Sequence, residues 1–132
     1  MTAEKRKKVL IVDDDELMRV VLKRNVILSG YDVIVATNGQ LAMQKIEEVT
    51  PDLIVVDLVM PDMNGFEMCR LIRSNERTKH IPIIIISGLQ GQSDLDEAKL
   101  VGANVFMAKP VKSEEFINHM KRLLGSMFKA AT

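Results

Sequence analysis

The chain alternates short apolar runs with longer amphipathic stretches, and this alternation occurs five times. Three of the runs, Val9–Val12, Leu53–Val56 and Ile83–Ile86, are too short for helices and are rich in β-branched residues. Such runs are typical of strands buried on both faces of a parallel sheet. Tyr31–Ala36 alternates partly, as an edge strand does, and Asn104–Ala108 is the fifth predicted strand. Strand and helix repeated five times predicts an α/β sandwich with a parallel sheet, helices on both faces and right-handed crossovers.

The helical stretches follow the strands. We expect the first helix to end at Leu28, before Gly30, and the second to begin at Asn38-Gly39. The apolar positions of the first helix include Leu17, Val20, Val21 and Leu28. The third helix carries Phe66, Cys69 and Ile72 on one face, and Cys69 is expected to be partly buried. The fourth, between Ser93 and Val101, has a thin apolar face formed mainly by Leu95 and Ala98, and the last is predicted to be capped by Ser113.

Length and charge restrict the class of protein. The 132 residues suit one domain, with a core at about 8–124 and a short C-terminal tail. Lys plus Arg and Asp plus Glu both number 18, so no global field attracts nucleic acid or anionic lipid, and no direct nucleic-acid binding is expected. There is no apolar run of membrane-spanning length and no signal-peptide pattern, and the single Cys69 permits no internal disulfide. We therefore expect a cytoplasmic protein without membrane insertion.

Polar residues that can take part in binding or catalysis follow four of the predicted strands. They are Asp13 and Asp14 after the first strand, Asp57 after the third, Ser87 after the fourth and Lys109 after the fifth. In open α/β sheets, ligands bind beyond the carboxyl ends of the strands, where the strand order reverses. If the strand order is 2-1-3-4-5, these four ends cluster and the uncharged end of the second strand is remote.

The clustered residues favour phosphoryl chemistry. Three carboxylates in one pocket repel one another unless one is protonated or a cation lies among them. Oxygen ligands without His or Cys favour a hard divalent cation, and an open site beside a phosphate suits Mg²⁺. A carboxylate can attack a phosphoryl group and form an acyl phosphate. Mg²⁺ and Lys109 can neutralise the charge on the transferring oxygens, and the Ser87 hydroxyl can bond one of them.

Asp13-Asp14, Asp57, Ser87 and Lys109-Pro110, in this order on these strand ends, resemble the receiver domain of two-component response regulators. The resemblance extends from about Lys8 to Leu124, and Met60-Pro61-Asp62-Met63-Asn64-Gly65 is close to the usual form of that family's loop. It implies a flavodoxin-like (βα)5 fold with strand order 2-1-3-4-5, and phosphorylation of Asp57 by a phosphohistidine on a histidine kinase or a histidine phosphotransfer protein. The only catalysis implied is the domain's own phosphorylation and dephosphorylation.

The resemblance also implies the roles of individual site residues. Mg²⁺ would be bound by Asp14, Asp57 and the backbone carbonyl of Val59, with Asp13 acting mainly through water. Lys109 would contact the phosphoryl group, and the Lys109-Pro110 peptide bond would be cis. A downstream protein target is implied, and the expected oligomeric state is a monomer or a weak phosphorylation-dependent dimer.

Two pairs of residues are candidates for switching and timing. In the family, a hydroxyl and an aromatic residue relay the signal, and here they are Ser87 and Phe106, although Phe106 also fits plain core packing. The positions that set the lifetime of the phosphoryl group are Val59 and Leu89. Both are apolar and unable to position an attacking water, so slow self-dephosphorylation is expected. The alternative, that Val59 and Leu89 simply cover the rim of the site, stays open.

Two other classes share parts of this pattern. A haloacid-dehalogenase-like phosphatase would use Asp13 as its nucleophile, in Asp13-x-Asp15, but it needs a further acidic motif after the lysine. Here only Glu114-Glu115 follow Lys109, inside the last predicted helix. A flavodoxin would bind the phosphate of FMN after the first strand, where the acidic run from Asp13 to Glu16 would repel it without a metal.

Overall fold

Five strands and five helices alternate along the chain in this computed structural model, which describes residues 6–88 and 91–125. The strands are β1 (Lys8–Val12), β2 (Asp32–Ala36), β3 (Leu53–Asp57), β4 (Ile83–Ser87) and β5 (Val105–Ala108). The helices are α1 (Glu16–Leu28), α2 (Gly39–Glu48), α3 (Gly65–Arg73), α4 (Gln92–Leu100) and α5 (Ser113–Leu124). The alternation predicted from the apolar runs is confirmed.

All five strands are parallel, and their order in the sheet is β2-β1-β3-β4-β5. This is the predicted flavodoxin-like order, with the sheet reversing its direction of growth between β1 and β3. The register aligns Val12 with Val56, Asp57 with Ile86, and Ser87 with Ala108. The carboxyl ends of the four functional strands therefore lie side by side, and β2 is the remote edge strand, as expected.

The sheet separates two apolar cores, and successive strand residues alternate between them. One face packs against α2 and α3, with Ile54, Val56, Ile46 and Met68 among its buried residues. The other packs against α1 and α5, with Ile11, Val55, Leu22 and Phe116 among its buried residues. Every residue of β3 and β4 is buried, which explains why their sequences are nearly continuous apolar runs. The result is a three-layer sandwich. Within the described ranges, no helix has the length and apolar character needed to cross a membrane.

The buried face of α1 is not formed by the apolar positions that indicated this helix in the sequence. Leu17, Val20, Val21 and Leu28 are all exposed, and Leu17 is 72% exposed. The residues that α1 buries are Leu22, Asn25 and Val26. The helix carries two apolar stripes, and only one of them can face the sheet. The composition of α1 does not distinguish the stripe that packs from the one that stays on the surface.

Two further expectations about helices need correction. Ser113 is the first residue of α5 rather than its cap, and Lys112 occupies the cap position without a side-chain bond. The Ser113 hydroxyl instead accepts a hydrogen bond from the Asn25 amide at 3.1 Å, which ties α5 to α1. Cys69 is fully rather than partly buried, because α3 lies directly on the sheet, and this burial raises the pKa of its thiol to about 11.

Candidate functional site

Three carboxylates meet at the carboxyl ends of β1 and β3. Asp13 and Asp14 directly follow β1, and Asp57 is the last residue of β3. One carboxylate oxygen from each residue lies within 4.8 Å of the other two. Asp13 and Asp57 are buried, whereas Asp14 is exposed at the mouth of the cluster. The sheet topology therefore brings together the three acidic residues that the sequence indicated as candidate metal ligands.

The turn after β1 holds Asp13 from several directions. Its backbone N–H donates to the Ala36 carbonyl at 3.2 Å, and its carbonyl accepts a bond from Arg19 Nη1 at 2.8 Å. Its Oδ1 accepts a bond from the backbone N–H of Asp15 at 2.9 Å. Its Oδ2 is buried and has no hydrogen-bond partner within the described part of the chain. An acceptor left open in this way fits a site that takes a cation or a water attached to one.

Lys109 provides the positive charge in the cluster. Its Nζ lies 3.2 Å from Asp57 Oδ1, and its backbone N–H donates to the Ser87 carbonyl at 2.9 Å. The latter bond fixes the start of the β5–α5 connection against the end of β4. The Lys109–Pro110 peptide bond is cis.

Burial dominates the electrostatics of the two inner carboxylates. It raises the pKa of Asp13 from 3.8 to about 6; the bond from the Asp15 N–H opposes this rise, and the nearby Asp57 charge adds to it. Burial likewise raises the pKa of Asp57, against the lowering effect of Lys109. The buried surroundings thus disfavour full ionisation of these two acids. A divalent cation would relieve that cost, so the all-oxygen donor set fits Mg²⁺.

The β3–α3 loop, residues 58–64, passes close to Asp57. Its course favours glycine at the start of α3, because a Cβ on Gly65 would lie 3.1 Å from the Leu58 Cα and 3.2 Å from the Asp57 carbonyl oxygen, both backbone atoms. Asn64 and Glu67 form a reciprocal capping box at the same point. Val59 lies in this loop with a side chain that is 58% exposed. The Val59 side chain is therefore on the surface beside the acidic cluster.

Ser87 and Phe106 lie on adjacent strands. Ser87 is buried at the end of β4. Phe106 is half-buried and stacks on Phe66 of α3, with ring centroids 6.5 Å apart and an interplanar angle of 26°. Nothing in the sequence pattern indicated that Phe66 would pair with Phe106, because the contact joins residues far apart in the chain. Leu89 lies outside the described residues.

Comparisons with known proteins show the family to which the chain belongs. A model of the response regulator receiver domain family matches residues 9–121, so the chain belongs to the response regulator receiver domain family. It is 33% identical over 114 residues to protein PilG of Pseudomonas aeruginosa, covering 86% of this chain and 84% of PilG. It is 36% identical to the alkaline phosphatase synthesis transcriptional regulatory protein PhoP of Bacillus subtilis, with 89% of this chain aligned, but it spans only 48% of that longer protein.

A solved structure adds a comparison at the acidic cleft. The receiver domain of the sensor histidine kinase PA1611 from Pseudomonas aeruginosa has a TM-score of 0.83 and 28% identity, covering 93% of this chain and all of that chain. That structure has a magnesium ion coordinated in its active-site cleft. The family match favours the receiver class over the haloacid-dehalogenase-like alternative with Asp13 as nucleophile.

Proposed function

We propose that this chain is a phosphoryl-accepting switch in a phosphorelay. Asp57 takes a phosphoryl group from a phosphohistidine on a histidine kinase or a histidine phosphotransfer protein, in a Mg²⁺-dependent reaction. The surface formed by α4, β5 and α5 then changes and regulates a protein partner. The observation that carries the proposal is the buried Asp57 carboxylate with Lys109 at 3.2 Å and the Asp13 and Asp14 carboxylates beside it.

The chemistry assigns the nucleophile to Asp57. One of its carboxylate oxygens attacks phosphorus, and the bond between phosphorus and the imidazole nitrogen of the donor breaks with its electron pair remaining on nitrogen. The product on this chain is an acyl phosphate. Lys109 holds a positive charge where the phosphoryl oxygens arrive, and Ser87 ends the neighbouring strand β4 within the same edge of the sheet. The Ser87 hydroxyl is suited to bond a phosphoryl oxygen.

The chain's own residues would hold the metal. Asp14, Asp57 and the backbone carbonyl of Val59 would bind Mg²⁺, and Asp13 would act through a bound water. The second oxygen of Asp13 is available for that water, because its first is already bonded to the Asp15 N–H. When bound, Mg²⁺ would supply positive charge to the oxygens of the transferring group.

Switching is assigned to Ser87, Phe106 and the loosely held α4. Ala98 is the one buried residue of α4, and the Gly91 cap has no side chain to bond the helix. An Arg70–Glu97 ion pair joins α3 to α4 on the exposed surface, where such pairs stabilise weakly. Elements with little buried apolar area open most easily, so α4 is the element that a change at Ser87 can move at least cost.

Timing and partners complete the proposal. Val59 would slow loss of the phosphoryl group because its side chain cannot position a water, and Leu89 is assigned the same role. The chain, 1–132, would form a single receiver domain with its core at about 8–124. It would act on a protein target without direct nucleic-acid contact, as a monomer or a weak phosphorylation-dependent dimer.

The metal requirement is tested with acetyl phosphate as donor. Incubation with Mg²⁺ should give a protein heavier by about 80 Da in intact mass, and incubation with a chelator should give none. Equal modification with and without Mg²⁺, or no modification in either, would contradict the proposal.

The switching surface is tested by amide hydrogen exchange with and without a phosphate mimic. Protection should change most in α4, β5 and α5 and least in β1 and β3. Unchanged protection over 92–124 in the protein carrying the mimic would rule out this surface as the output.

A further inference from the structure

Asp62 bridges two parts of the molecule that are distant in sequence. Its Oδ1 accepts a hydrogen bond from the backbone N–H of Gly39 at 3.1 Å, and its Oδ2 accepts one from Gln40 at 2.8 Å. Both donors lie in the first turn of α2, whereas Asp62 lies in the middle of the β3–α3 loop. One carboxylate therefore joins this loop to the start of a different helix.

The start of α2 uses Asp62 as part of its cap. The first four backbone N–H groups of a helix have no partner within the helix. The Asn38 side chain accepts a bond from one of them, the N–H of Leu41, at 2.8 Å. Asp62 satisfies two more, those of Gly39 and Gln40, and its negative charge lies at the positive end of the helix dipole. Slight burial raises the pKa of Asp62, but the hydrogen bonds from the N–H groups of Gln40 and Gly39 lower it, and the net change in pKa is downward.

A packing contact reinforces the bridge. A Cβ on Gly39 would lie 3.0 Å from the Met63 sulfur and 3.2 Å from the Met63 Cβ. The loop residue next to Asp62 therefore packs directly on the first residue of α2, and a Cβ there would push the Met63 side chain away. Hydrogen bonds and packing thus fix the same point of the loop independently.

The bridge from Asp62 to α2 bears on the metal site because the same loop contains Val59. At its two ends the loop is already fixed: Leu58 donates to the Ile86 carbonyl at 2.9 Å, and the capping box at Asn64 begins α3. Between these ends lies Val59, whose backbone carbonyl is the proposed third ligand of Mg²⁺. A carbonyl ligand has to be held in place by its backbone, since no rotamer can aim it.

We propose that Asp62 is a positioning residue for the metal site, which holds the β3–α3 loop against α2 and so keeps the Val59 backbone in the position for binding Mg²⁺. This inference rests on the proposed function, because it concerns the metal that the phosphoryl transfer requires. It adds α2, which supplies no residue to the acidic cluster, to the elements that determine metal affinity.

The test measures Mg²⁺ affinity by isothermal titration calorimetry, without any phosphoryl donor. Asp62→Ala should weaken Mg²⁺ binding by about tenfold, and Asp62→Asn, which keeps one acceptor oxygen, should fall between it and the wild type. Gly39→Ala should weaken binding in the same direction by displacing Met63. Asn38→Ala is the matched control, because it removes a cap bond of α2 without releasing the loop. Thermal unfolding of each variant shows that it is folded during titration.

The outcomes separate the inference from the proposed function. Asp62→Ala binding Mg²⁺ within about twofold of the wild type would overturn the inference, as would Asn38→Ala weakening the binding as much as Asp62→Ala. In either case a wild type that binds Mg²⁺ and is phosphorylated leaves the proposed function intact. A wild type that does not bind Mg²⁺ would overturn both.

Discussion

Replacing Asp13 with Asn should stabilise the Mg²⁺-free protein at neutral pH, and the gain should largely disappear in acid. Burial raises the pKa of Asp13 from 3.8 to about 6, so the native state holds this proton more tightly than the unfolded state does. Where the native state binds more protons, stability falls as the pH rises. The contribution of Asp13 is therefore most favourable below about pH 3.8 and is lost as the pH rises through about 6.

The size of the effect follows from the same rise in pKa. Each pKa unit corresponds to about 1.4 kcal/mol, so the change from 3.8 to about 6 corresponds to about 3 kcal/mol once the pH exceeds both values. Part of this is already lost at about pH 4, so about 2 to 3 kcal/mol should be lost between about pH 4 and about pH 7.5. The Asp13 side chain is almost completely buried, so solvent does not screen this cost.

Urea unfolding with a chelator present measures this difference. Wild type, Asp13→Asn and the exposed-site control Asp32→Asn are compared at about pH 4 and about pH 7.5. The stability of Asp13→Asn relative to wild type should rise by about 2 to 3 kcal/mol between the two values, and that of the control should stay constant. A difference between wild type and Asp13→Asn that does not change with pH would refute the electrostatic account of the acidic cluster.

Three other substitutions address separate parts of the site and scaffold. Lys109→Gln should slow phosphorylation by acetyl phosphate by at least about tenfold in an intact-mass time course, and an unchanged rate would exclude the role given to its charge. Val59→Asn should speed loss of the phosphoryl group by about tenfold in a decay series, and equal half-lives would favour the alternative that Val59 only covers the rim. Arg73→Ala should cost about 2 to 4 kcal/mol in urea unfolding, because its half-buried guanidinium donates to the Ile81 and Gly102 carbonyls; a cost below about 1 kcal/mol would contradict that view.

The candidate site residues could be recognised in the sequence because they lie at, or directly after, the ends of strands. A short apolar run fixes both where a strand lies and where it stops, and a parallel sheet brings those ends to one edge. For this reason Asp57 Oδ1 and Lys109 Nζ lie 3.2 Å apart, although 52 positions separate the two residues in the chain. No detailed side-chain geometry was needed to bring them together.

The features that the sequence did not predict are contacts between helices and loops. The choice of Leu22 over Leu17 for the buried face of α1 depends on how the helix is rotated on the sheet, and both stripes are apolar. The Ser113 hydroxyl bonds Asn25 rather than capping its own helix, because α1 lies next to α5. The bridge from Asp62 to α2 likewise depends on two elements meeting in space. Such contacts have no local pattern for a single sequence to show.

The central claim is that Asp57 is the phosphoryl acceptor. The most direct test is intact mass after incubation with acetyl phosphate and Mg²⁺, on wild type, Asp57→Asn and the control Asp32→Asn. Wild type and control should each gain about 80 Da, and Asp57→Asn should gain nothing while remaining folded. Modification of Asp57→Asn to the same extent as the wild type would show that the phosphoryl group goes elsewhere, and would contradict the account.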